Sequence, residues 1–150
     1  MSGIVIVGAG QAGASLAAKL RSLGHDGPVT LIGEEPAAPY QRPPLSKGYL
    51  MGEMELDRLF LRAPEFWAEH GIDLRTGSTV TGIDRAAKTV TQSDGTALPY
   101  SQLALTTGAV PRRLPAQAGG ELAGVYTVRT LADIDAMKPE FASGRRLLVV

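Results

Sequence analysis

The opening stretch Met1-Ser2-Gly3-Ile4-Val5-Ile6-Val7-Gly8-Ala9-Gly10-Gln11-Ala12-Gly13 decides how this chain folds. Ile4 to Val7 is a short apolar run of the kind that forms a buried strand, and it passes without a break into a glycine-rich turn and then a helix. In this G-x-G-x-x-G spacing each glycine has its own duty. Gly8 permits the tight turn, Gly10 lets backbone approach a pyrophosphate because no Cβ intervenes, and Gly13 lets the helix sit close on the sheet. The helix start offers free N–H groups and the positive end of its dipole to an anion. Leu16, Leu20 and Leu23 supply its expected apolar face.

A second strand is expected at Val29 to Ile32, followed by Gly33, Glu34 and Glu35. An acidic residue about 20 positions beyond the glycines is where such a turn holds a ribose hydroxyl. Glu34, at the carboxyl end of the strand, is the better placed, and Glu35 is expected to be solvated. A carboxylate here repels a 2′-phosphate, so the nucleotide it accepts is unphosphorylated at that position.

Composition narrows the classes. At 150 residues and 44% hydrophobic the chain can bury a core of single-domain size. Fifteen basic residues balance fifteen acidic ones, which leaves no electrostatic footprint for nucleic acid or an anionic membrane. Cysteine is absent, which removes disulfides, thiolate metal sites and a redox dithiol. His25 and His70 stand far apart without a second ligand at metal spacing and read as surface or helix-end residues. The first apolar run is too short for a signal peptide or membrane span, so a cytoplasmic setting is the default expectation.

After the second strand a simple strand–helix alternation would continue with a helix. The chain instead writes Pro36-Ala37-Ala38-Pro39-Tyr40-Gln41-Arg42-Pro43-Pro44-Leu45-Ser46-Lys47-Gly48-Tyr49-Leu50, a stiff proline-bearing loop. A helix capped by Ser46, with Leu50 and Met51 on its apolar side, is expected next, then one opened by Pro64 and stopped at Gly71. Trp67 on it is read as a packing residue. From Ile72 the period changes to two, through Leu74, Val80, Ile83 and Thr89 to Thr91, and Ser93-Asp94-Gly95-Thr96 is a hairpin signal. These strands are expected as an antiparallel set. Gln102 to Leu105 is one more strand, ending in the small-residue turn Thr106-Thr107-Gly108-Ala109. The fold class expected is α/β: a Rossmann-like FAD/NAD(P)-binding domain, a doubly wound parallel sheet with a small antiparallel β insertion. Gly144 to Val150 reads as the lead-in to a further buried strand, so the chain is expected to be a fragment.

Arg42-Pro43-Pro44-Leu45-Ser46-Lys47, taken with the first turn and Thr107-Gly108, resembles the FAD-dependent ferredoxin reductases that serve rubredoxins, putidaredoxin-like ferredoxins and Rieske-type oxygenases. The similarity covers essentially the whole chain. It implies a first part of an FAD domain over residues 1–111, and a connection with the start of a truncated NAD domain over 112–150. It also implies that Gly8, Gly10, Ala12 and Gly13 face the FAD pyrophosphate and Glu34 the adenosine ribose. Arg42 would lie along the phosphates or flavin. Val80 would touch the adenine side through its backbone, Thr107 and Gly108 would pass close to the cofactor, and Arg129 would reach it from the connection. Lys47 is the implied catalytic residue, its ammonium stabilising negative charge on the reduced flavin. A departure is Thr106, where the family usually has alanine.

By this resemblance, NADH donates electrons through FAD to a ferredoxin or rubredoxin-type acceptor, and the isolated 150-residue chain is expected to be inactive. The lack of cysteine argues against the disulfide-reductase branch of the same superfamily. Two alternatives stay open: a non-catalytic truncated dinucleotide-binding remnant, and a simple NAD-dependent dehydrogenase module.

Overall fold

In the computed structural model, which describes residues 3–150, the first apolar run forms β1 (Gly3–Val7), with Val5, Ile6 and Val7 buried. The glycine turn leads into α1 (Gln11–Ser22), which buries Gly13, Ala14 and Ala17. Leu16 and Leu20 pack against the core as the spacing predicts, whereas Leu23 is 71% exposed because it follows the last helical turn. Every residue of β2 (Val29–Ile32) is buried. The chain divides into two compact units, one made of the described residues up to Gln41 with Phe60–Gly108, the other of Arg42–Leu59 with Ala109–Val150.

The first unit holds a six-stranded sheet. Its remaining strands are β3 (Ile72–Arg75), β4 (Val80–Asp84), β5 (Thr89–Gln92) and β6 (Ala97–Leu105), in the order β3-β2-β1-β6-β5-β4. β1 is flanked by parallel neighbours, with Ile6 opposite Leu31 of β2 and Ala104 of β6. The period-two reading of Ile72 onward is right about strand and wrong about partner. β3 pairs parallel with β2, Ile72 opposite Val29, so the antiparallel set is β4, β5 and β6 alone. Alternation fixes which side chains face the core but not which neighbour a strand takes. β6 starts at Ala97, five positions before the expected Gln102, because its first half pairs antiparallel with β5 and its second half parallel with β1. The hairpin turn is as predicted: Gly95 has φ +85°, and the Asp94 carboxylate accepts from the Thr96 N–H at 2.8 Å.

One cluster of buried residues packs α1 against the parallel strands, through Ile6, Ala14, Ala17, Val29, Leu31, Ile72 and Trp67. Trp67 stands on α2 (Phe66–Glu69) and is 1% exposed, so the packing reading of this residue holds. Burying side chains of this kind contributes about 1.5–3 kcal/mol each. A second cluster joins Val5, Val7 and Ile32 to Val90 and Tyr100 of the antiparallel half.

In the second unit the expected Ser46-capped helix is replaced by a short π-type turn at Leu45–Tyr49, broken at Lys47 (φ −129°, ψ −114°). Pro44 occupies the cap position and Ser46 makes no capping bond. Leu45 is the buried residue and Met51 is 68% exposed, because one irregular turn cannot sustain a helical face. The turn packs against α3 (Leu131–Met137), which buries Ile134 and Met137. α3 opens with a reciprocal cap: the Asp133 N–H donates to Thr130 Oγ1 at 3.2 Å, and the Thr130 N–H donates to Asp133 Oδ2 at 2.8 Å. The strand expected near the terminus does not form, and Leu147, Leu148, Val149 and Val150 are all exposed. A strand needs a neighbour for its N–H and C=O groups, and among the described residues none pairs with this segment.

Candidate dinucleotide site

Three strand ends meet at the glycine turn of the first unit. The Gly8 N–H donates to the Ile32 carbonyl at 2.8 Å, tying the end of β1 to that of β2. The Thr106 N–H donates to the Val7 carbonyl at 2.8 Å, tying it to β6. The crevice beyond the carboxyl ends of such strands is where open α/β sheets take ligands.

The three motif glycines differ in what surrounds them. Gly8 has φ +108°, and a Cβ there would lie 2.3 Å from the Thr106 carbonyl oxygen. A Cβ on Gly13 would lie 2.0 Å from the Gly8 carbonyl oxygen. Both positions therefore need glycine for the fold itself. A Cβ on Gly10 would meet nothing within 4 Å, so the glycine there keeps space open rather than relieving a clash. The first hydrogen bond of α1 runs from the Ala14 N–H to the Gly10 carbonyl at 3.0 Å, which leaves the N–H groups of Gln11, Ala12 and Gly13 at its open end. No side chain caps this end and no acidic residue stands in the first turn. Open space above Gly10, uncapped amides and a positive dipole end fit a pyrophosphate.

At the end of β2, Gly33 packs on Ala9 so closely that a Cβ on it would lie 2.6 Å from the Ala9 Cβ. Glu34 follows, exposed, beside the turn. Its carboxylate has no hydrogen bond or ion pair to any described residue, as a ribose ligand requires. Glu35 departs from the solvated state expected of it. It is half-buried and accepts a hydrogen bond from the hydroxyl of Tyr40, itself 6% exposed. The two acidic neighbours are thus divided, Glu35 committed to the fold and Glu34 presented outward. The Gly77 N–H donates to the Glu35 carbonyl at 3.0 Å and the Ser78 N–H to the Gly33 carbonyl at 2.9 Å. These bonds bring the start of β4, with half-buried Val80, alongside the Glu34 loop. Thr107 and Gly108 are exposed just past β6, Gly108 with φ +70°.

The other sequence-derived residues belong to the second unit. An Arg42 Nη donates to the Arg129 carbonyl at 2.5 Å, and the Arg129 N–H donates to Asp133 Oδ2 at 3.0 Å. Desolvation raises the Asp133 carboxyl, but the hydrogen bonds from Thr130, Arg129 and Thr127 outweigh it and hold the group below its ordinary value. Lys47 is exposed, its ammonium 3.3 Å from the Pro43 carbonyl.

The hydrogen bonds of two residues escaped sequence reasoning. The hydroxyl of Thr106 donates toward the Gly8 carbonyl at 2.8 Å and the Val7 carbonyl at 3.1 Å, for which a small-residue turn gives no signal. Asp133 was legible in the Thr130-x-x-Asp133 spacing, a shortened capping box. A depression of about 490 Å³ at the amino ends of the strands involves Arg21, His25, Gly27, His70 and Gly71. Arg21 directs its guanidinium to the carbonyls of His25, Gly27, His70 and Gly71 at 2.6–2.9 Å, so it ties loops together rather than receiving an anion. Among the described residues no group of three or more His, Cys, Asp or Glu could hold a metal ion, and no helix is long and apolar enough to cross a membrane.

Comparison with known proteins finds relatives along nearly the whole chain. Rhodocoxin reductase of Rhodococcus erythropolis is 44% identical over 147 residues, covering 98% of this chain and 34% of the relative. Putidaredoxin reductase of Pseudomonas putida is 40% identical over 149 residues, covering 98% of this chain and 35% of the relative. The crystal structure of the covalent putidaredoxin reductase–putidaredoxin complex matches with a TM-score of 0.86 at 40% identity, over 93% of this chain and 34% of that one. The chain spans about a third of the length of these proteins. The family model described as pyridine nucleotide-disulphide oxidoreductase matches residues 2–150, and the chain belongs to that family.

Proposed function

We propose that this chain is the FAD-binding amino-terminal part of an NADH-dependent ferredoxin reductase, passing electrons to an iron–sulfur protein of the ferredoxin or rubredoxin type. The observation that carries the reading is the glycine turn: Gly8 and Gly13 are required by packing, while Gly10 guards empty space in front of uncapped amides. The named activities of rhodocoxin reductase and putidaredoxin reductase support the electron-transfer role.

In this reading Gly8, Gly10, Ala12 and Gly13 hold the pyrophosphate, and Glu34 accepts hydrogen bonds from the adenosine ribose. Val80 borders the adenine, and Thr107 and Gly108 run close to the cofactor. Arg42 and Arg129 supply positive charge for the phosphates or flavin. Lys47 is the catalytic residue, holding an ammonium where negative charge on the reduced ring needs a counter-ion. When bound, FAD supplies the exchange between a two-electron hydride donor and one-electron acceptors. Residues 1–111 are the FAD part and 112–150 the connection toward the NAD part, in a cytoplasmic protein. The 150-residue chain by itself is expected to turn over no NADH with ferricyanide as acceptor.

FAD titration of the 150-residue chain tests the reading. Quenched flavin fluorescence and a raised melting temperature are expected, since a ligand of the native state raises apparent stability. A chain that neither quenches flavin nor gains stability with it would sink the assignment.

A further inference from the structure

We propose that Thr106 is a positioning residue, whose hydroxyl clamps the glycine turn in its anion-ready shape. The proposal deepens the reading above and rests on it only for the identity of the ligand.

One oxygen bonds the strand end and the turn of this junction and borders the start of the helix. Thr106 Oγ1 lies 3.1 Å from the carbonyl oxygen that ends β1, at Val7, and 2.8 Å from that of Gly8 in the turn. It also stands 2.8 Å from where a Cβ of Gly13 would be, at the start of α1. The Val7 carbonyl already accepts the Thr106 N–H at 2.8 Å, so the hydroxyl proton is best used on Gly8. Gly8 is the residue that needs restraint. With φ +108° and no side chain, its peptide has more freedom than any other residue type would allow. The Gly8 carbonyl and the Ala9 N–H lie on opposite edges of one planar unit. A bond that pins the carbonyl therefore fixes the direction of the Ala9 amide too. Threonine is suited to the task because its branched β-carbon restricts χ1 and holds Oγ1 in place before any ligand arrives.

The test compares Thr106→Ala with Thr106→Ser in the 150-residue chain, by amide exchange and by FAD titration. The informative amides are Gly8, Ala14 and Thr106, whose bonds to Ile32, Gly10 and Val7 report whether the junction stays closed. Alanine is expected to speed exchange at these amides several-fold and to weaken FAD binding about five-fold, the effect of one hydrogen bond. Serine, which keeps the hydroxyl, is expected to return both close to the parent. Exchange in the alanine variant equal to the parent, or a serine variant as poor as alanine, overturns the clamp, the latter assigning the effect to methyl packing. Exchange that follows the hydroxyl in a chain that binds no FAD upholds the clamp and defeats the dinucleotide reading instead.

Discussion

The guanidinium of Arg42 donates to the backbone carbonyl of Arg129 at 2.5 Å, across 87 positions of sequence. Two residues that the reductase resemblance assigns separately to the cofactor are thus one structural pair. Charge-assisted hydrogen bonds to a half-buried group are worth about 1.5 kcal/mol. Arg42→Ala is expected to lower the stability of the chain by roughly that amount in urea unfolding. Arg42→Lys should recover only part of it, because an ammonium cannot reproduce the planar fork. Equal stability of the three proteins would show that the pair contributes nothing.

The motif glycines separate folding from binding. Gly10→Val places carbon in empty space, so the melting temperature should stay within a few degrees of the parent while FAD binding is lost. Gly13→Ala forces a methyl against the Gly8 carbonyl and should destabilise the fold by about 1–3 kcal/mol, as overpacking does. Calorimetry with and without FAD distinguishes the two. Retention of FAD by Gly10→Val would contradict the site.

Arg21 is the mechanical counterpart at the other end of the strands. Its bonds to His25, Gly27, His70 and Gly71 join α1 to the β2 approach and to the loop before β3. Arg21→Met keeps the apolar stem and removes the donors, and a loss of about 2–3 kcal/mol is expected. FAD affinity, measured under conditions where the variant is folded, should be unchanged.

Tyr49 gives the chain a signature at high pH. Desolvation raises its phenol first, the hydrogen bond to Asp135 at 2.8 Å adds to this, and the charges of Asp135 and Glu55 complete a shift up to about 12. A raised phenol favours the neutral form in the fold. Its contribution is whole below about 10, the ordinary tyrosine value, and disappears as pH climbs through 12. Ultraviolet titration should show a tyrosine component near pH 12 that is lost in Tyr49→Phe. A high-pH titration unchanged by Tyr49→Phe would refute the contact.

Asp133 acts on the acid side. Its carboxyl is held low by the net effect of its hydrogen bonds, so the stability it adds is present above about pH 4 and is lost as pH falls through its lowered value. Asp133→Ala should cost about 1 kcal/mol at neutral pH, the usual worth of a helix cap, and should flatten the acid limb of the stability curve. An acid limb identical to the parent's would place the low carboxyl elsewhere.

Local chemistry made the strand–turn–helix opening and the Asp94-Gly95 hairpin readable without coordinates. Each is set by period and backbone preference within a few residues. Partner choice was not readable in the same way. Alternation marked Ile72 and Leu74 as strand residues, but only the packed sheet assigned β3 to the parallel side. Glu34 and Glu35 are alike in chemistry, and the buried hydroxyl of Tyr40 decided which of them faces outward. Thr106 finds Gly8 across 98 positions, and Arg42 finds Arg129 across 87. Such contacts depend on where the whole sheet and the α3 cap bring distant backbone, a property that no window of sequence contains.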